Sequence, residues 1–93
     1  MILLSEGNRF LMFFGTECAH CHAMQPLLER LEIEEGIHVE LLEVWHNEKN
    51  AQLMHKLADG KCGSVPFLFN EKNGKYICGP ANYPQIKEWA VGD

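Results

Sequence analysis

Apolar residues fall along this chain in short runs whose period changes from one segment to the next. Arg9 to Phe14 contains an unbroken apolar stretch, Phe10-Leu-Met-Phe-Phe14, which predicts a strand buried on both faces. From Ala19 the spacing turns helical, with Met24, Leu27, Leu28 and Leu31 on one side through Glu35. Pro26 should kink this helix and Gly36 should stop it. Ile37 to Trp45 carries Val39, Leu41, Leu42 and Val44 and reads as a second strand. Asn47 can cap a helix through about Ala58, with Leu53, Met54 and Leu57 inward and Asp59-Gly60-Lys61 at its end. Val65 to Phe69 starts a third strand. Asn73-Gly74 is a two-residue hairpin signal, and Lys75 to Cys78 returns as a short fourth strand. Gly79-Pro80 breaks the chain. Tyr83 to Val91 forms a last helix, with Pro84 in its first turn and Ile86, Trp89 and Ala90 inward. The order is β-α-β-α-β-β-α, an α/β chain. Its first half is a βαβ unit with a right-handed crossover, and its second half is a hairpin plus a covering helix.

Composition narrows the class. The 93 residues make one domain, 1–93, without repeats or linkers. A net charge of −5 argues against nucleic acid and anionic membranes as partners. No run is long enough for a membrane span. Met1 to Asn8 lacks a basic region and is too short for a signal peptide, so the expected compartment is cytoplasmic.

The chemistry centres on Cys18-Ala19-His20-Cys21. A strand running into a helix puts Cys18 at the helix N-terminus, where unpaired N–H groups and the positive dipole end favour thiolate over thiol. Cys21, three residues on, is within reach to close a disulfide. The arrangement reads as reversible dithiol chemistry. Cys18 to His22 also satisfies the C-x-x-C-H haem-attachment pattern, but a buried strand before it and a β-rich second half fit haem badly. A four-thiolate zinc site needs Cys62 and Cys78 as a close pair, and fifteen residues separate them. No metal or cofactor is therefore expected. Cys62 and Cys78 read by default as small buried hydrophobes, with a regulatory thiol at Cys62 or a Cys62–Cys78 disulfide left open. The two tryptophans and the phenylalanines read as core. His38, His46 and His55 show no ligand spacing.

Taken together, these motifs resemble the thioredoxin family over about Arg9 to Trp89. The matching features are the CxxC, Pro26 five residues after Cys21, Val65-Pro66, Asn73-Gly74 seven residues after that proline, Gly79, and Gln85-Ile-Lys-Glu-Trp89. The resemblance implies a four-stranded mixed sheet flanked by helices, in a minimal version lacking the family's first strand and helix. It implies a cis bond before Pro66, with Pro66 beside Cys18, and a substrate-binding groove that includes Val65, Pro66 and Gly79. The sequence departs from the family at three further points. Glu17 stands where tryptophan is common, Met12 replaces a buried acid, and Ala-His lies between the cysteines, as is similar to disulfide isomerases.

The implied activity is thiol–disulfide exchange on protein disulfides by a monomer, with a reductase or small thiol as reductant. Cys18 would be the nucleophile, Cys21 the resolving thiol and His20 a tuner of the thiolate. Glu43, a lone acid in an apolar strand, is a candidate proton acceptor for Cys21 in place of the acid missing at Met12. A glutaredoxin-like enzyme is disfavoured by Gly79-Pro80 and Ala-His. A non-catalytic redox-sensing or binding module is the alternative from a different class.

Overall fold

The computed structural model describes residues 9–92. The expectations for Met1 to Asn8 lie outside them. The elements are β1 (Phe10–Phe14), α1 (Ala19–Glu35), β2 (Val39–Glu43), α2 (Glu48–Ala58), β3 (Phe67–Asn70), β4 (Tyr76–Cys78) and α3 (Tyr83–Val91). They build one four-stranded mixed sheet in the order β2-β1-β3-β4. β1 runs parallel to β2, with Phe10 opposite Val39, and antiparallel to β3, with Phe13 opposite Phe67. β4 pairs antiparallel with β3, with Phe67 opposite Cys78. The expected thioredoxin-like α/β architecture is the one observed.

The central position of β1 explains its continuous apolar sequence, since both faces of such a strand are covered. Successive side chains point to opposite faces. Met12 packs with Met24, Leu28 and Leu31 of α1, Leu68, and Ile86 and Trp89 of α3. Leu11 and Phe13 pack on the other face with Met54, Ala58 and Phe67. Cys18 caps α1, and Gly36 ends it in the left-handed region at φ 68, a conformation glycine adopts without strain. The helix continues through Pro26. Asn47 caps α2, and Asn82 with Gln85 forms a capping box on α3.

Three expectations are corrected. The β3–β4 connection is not a two-residue Asn73-Gly74 turn. The Asn70 N–H donates to the Lys75 carbonyl (2.8 Å), so residues 71–74 form the loop. Buried Asn70 organises it, accepting from the Lys72 N–H (2.9 Å) and donating Nδ2–H to the Trp89 carbonyl (3.1 Å). Trp45 is not core: it is 51% exposed, because β2 ends at Glu43 and the chain turns away from the sheet. Cys62 and Cys78 are not free hydrophobes but a disulfide, with Cα atoms 5.6 Å apart. The β3–β4 register brings Cys78 alongside Phe67, close to the loop that carries Cys62.

Candidate redox site

The site grows from the carboxyl end of β1. Gly15, Thr16 and Glu17 turn the chain, and the Cys18 N–H closes that turn on the Gly15 carbonyl (3.0 Å). Cys18 has extended backbone angles and takes the N-cap role usually filled by an oxygen. Its Sγ accepts the Cys21 N–H at 3.1 Å. Cys18 and Cys21 are disulfide-bonded, with Cα atoms 5.2 Å apart. Their exposure differs. Both are buried, and Cys18 at 8% exposure is the less covered of the two, against 1% for Cys21.

Cys18 sits where N–H groups are unpaired and the helix dipole is positive. An anionic sulfur there is stabilised, typically by a few tenths to one kcal/mol, or about two in partly buried geometry. The Val65–Pro66 bond is cis. The β1–β3 register, Phe13 opposite Phe67, places Pro66 at the end of β1 from which the Cys18 loop departs. Gly79, at φ 102, donates its N–H to the Pro66 carbonyl (2.8 Å) and so joins the end of β4 to this proline. Val65, Pro66 and Gly79 are thus gathered at one edge. Among the described residues, no main-chain hydrogen bond engages Val65.

Glu43, the candidate proton acceptor, is engaged by three residues of the neighbouring loops. Its carboxylate accepts from the Thr16 N–H and hydroxyl (both 3.0 Å), the Trp45 N–H (3.2 Å) and the His46 N–H (2.8 Å). Burial pushes this carboxyl up, but the donors of His46 and Thr16 outweigh it and hold the group below the ordinary carboxylate value. Glu43 therefore ties the loop after β2 to the turn before Cys18. His22 Nε2–H reinforces that turn by donating to the Thr16 carbonyl (2.6 Å). Glu17 pairs with His46 (2.9 Å), and the hydrogen bond and charge of Glu17 raise the His46 pKa above its usual value. His20 is exposed and, among the described residues, makes no hydrogen bond or ion pair. Met12, where an acid was noted as missing, is fully buried.

Sequence reasoning missed the contact between Trp45 and Gly15. A Cβ at Gly15 would overlap Cδ2, Cε3 and Cε2 of the indole, so the ring lies against the bare backbone before Cys18. The signal that could have found it was a glycine placed immediately after a buried strand. Among the described residues, no cluster of His, Cys, Asp or Glu has metal-holding geometry, and no helix is long and apolar enough to cross a membrane.

Comparison with protein-family models and with curated proteins yields no match for this chain. The fold and site define a mixed α/β protein with a CxxC disulfide at the N-terminus of its first helix. That geometry is compatible with redox chemistry.

Proposed function

We propose that this protein is a thiol–disulfide oxidoreductase of the thioredoxin type, acting on protein disulfides through Cys18 and Cys21. The observation that carries the reading is the asymmetric sulfur pair. Cys18 caps a helix and is the less deeply buried of the two, and its partner Cys21 is almost wholly covered. In the reductive direction the Cys18 thiolate attacks one sulfur of a substrate disulfide. The other substrate sulfur leaves as a thiolate and takes a proton. Cys21, deprotonated, then attacks Cys18 Sγ and expels the second substrate thiol, leaving the Cys18–Cys21 disulfide. Two electrons pass to the substrate, and a reductase or small thiol restores the dithiol.

The Cys21 N–H and the dipole of α1 stabilise the Cys18 thiolate, and His20, one residue before Cys21, is the candidate tuner of it. The free main chain of Val65, beside cis-Pro66, offers an edge on which an extended peptide pairs. The protein acts as a monomer without cofactor. The competing reading is a binding or sensing module, favoured by Met12, which brings no carboxylate to take the Cys21 proton, and by the four hydrogen bonds that occupy Glu43.

Insulin reduction by dithiothreitol, run beside a glutathione-coupled assay, tests the proposal. Acceleration by the wild type and its loss in Cys18→Ser is expected. No acceleration in either assay, by protein with a native circular-dichroism spectrum, refutes the enzyme and leaves the module.

A further inference from the structure

The exchange cycle uses one sulfur pair and leaves the other without a role. Cys62 lies in the loop between α2 and β3, the same loop that delivers Val65 and Pro66. At its start, the Lys61 N–H donates to the Ala58 carbonyl (2.8 Å); at its end, the Pro66 carbonyl accepts from Gly79 (2.8 Å). Between these points, residues 62–65 make no main-chain to main-chain hydrogen bond within the described residues. A Cβ at Gly63 would meet nothing within 4 Å, so the side-chain face of this residue is open. Two things hold the segment. Cys62 and Val65 pack on the face formed by Leu11, Phe13, Met54 and Phe67. The disulfide ties Cys62 to Cys78 at the end of β4, opposite Phe67. Cys78 is exposed and Cys62 half-buried, so an external thiolate has a route to the bond.

We propose that Cys62–Cys78 is a second redox site, a clasp on the Val65–Pro66 loop that a dithiol opens in the folded protein. The consequence for substrate rests on the exchange function argued above. A thiolate of a small dithiol attacks Cys78 Sγ, and Cys62 leaves as a thiolate and takes a proton. The reductant's second thiol then attacks its own sulfur in the mixed disulfide, releasing Cys78 as a thiol. The dithiol becomes a cyclic disulfide, and Cys62 and Cys78 each gain a hydrogen. With the clasp open, apolar packing and the weak Cys62 thiol contact to the Ser64 carbonyl (3.3 Å) are what order residues 62–65. A peptide pairing with Val65 must then order the loop as it binds, which weakens binding. Cys62 and Cys78 are thus positioning residues for the substrate edge.

Three measurements test this. The Cys18→Ser/Cys21→Ser variant, which keeps only the clasp, is treated with graded dithiothreitol, alkylated and weighed, with circular dichroism recorded in parallel. Two alkylated cysteines with a native spectrum are expected; alkylation only after the spectrum is lost overturns the proposal. Amide exchange of Lys61 and Gly79, whose N–H groups donate at the two ends of the segment, should accelerate about tenfold or more on opening, as local unfolding becomes easier, and unchanged exchange overturns it. The ratio of kcat/KM for insulin to that for 2-hydroxyethyl disulfide should fall about fivefold in Cys62→Ala/Cys78→Ala, chiefly through KM for insulin. An unchanged ratio overturns the positioning role. Wild-type protein inactive on both disulfides removes the exchange function instead, and the alkylation and amide arms still decide the clasp.

Discussion

Adding one methyl group at Gly15 should disturb the redox site without touching a cysteine. In Gly15→Ala the new Cβ overlaps three carbons of the Trp45 indole, so the ring must move. Trp45 is 51% exposed and can swing outward, which sets a ceiling on the cost. About half of a large aromatic surface, on the order of 120 Å², is then returned to water, roughly 3 kcal/mol at ~25 cal/mol per Å². Partial accommodation by a small backbone shift lowers this, and overpacked sites typically cost about 1–3 kcal/mol. Urea unfolding of the oxidised protein, with a slope near ~1 kcal/mol per M for a chain this small, should show a midpoint lower by about 1–3 M. The decisive comparison is the double-mutant cycle with Trp45→Ala. Once the indole is gone the methyl has nothing to strike, so Gly15→Ala should cost about 0.5 kcal/mol or less in that background. Equal costs in both backgrounds would refute the packing argument, because the penalty would then come from the backbone at position 15.

Two further perturbations follow from the hydrogen bonding around the sheet. Glu43→Gln should lower stability at neutral pH, because an amide oxygen replaces a charged acceptor shared by Thr16, Trp45 and His46. Glu43 is more acidic in the folded state, so its contribution is present above its unfolded pKa and is lost as pH falls through the folded value. The variant's stability should therefore decline less steeply on the acid side, and parallel acid limbs in urea midpoints against pH would contradict this. Asn70→Ala leaves the Lys72 N–H and the buried Trp89 carbonyl without their side-chain partner and should cost about 1–3 kcal/mol in the same unfolding assay.

The parts of the fold legible in the sequence are those governed by local rules. The apolar run of β1, the Asn47 cap and the Pro84-marked start of α3 each state their structure within a few residues. What escaped depends on contacts between distant segments. Asn73-Gly74 carries a strong turn signal, yet Asn70 closes the connection earlier because Trp89 and Lys72 give its buried side chain partners. Cys62 and Cys78 meet only once β3 and β4 have taken their register. At the site, Cys18 and Cys21 were legible because two intervening residues suffice to bring the sulfurs together. Glu43 was visible as an anomaly, an acid in an apolar strand, but its partners lie in two loops whose approach no spacing rule encodes. Trp45 looked like core because alternation alone does not reveal where a strand stops following its sheet.

The two ends of β3 have opposite tolerances for change in chain length. At its beginning, Pro66 is joined to Gly79, and a covalent bridge spans from Cys62 to Cys78. An inserted residue there would shift that whole edge. At its other end the chain reverses through exposed Lys72, Asn73 and Gly74, and the strand register is set behind them by Asn70 and Lys75. A graft at Asn73, whether a peptide label or a recognition sequence, would lengthen a surface bend and leave the sulfur-bearing edge at the far end of the strand. The molecule thus carries an attachment point set apart from its chemistry by the length of one short strand.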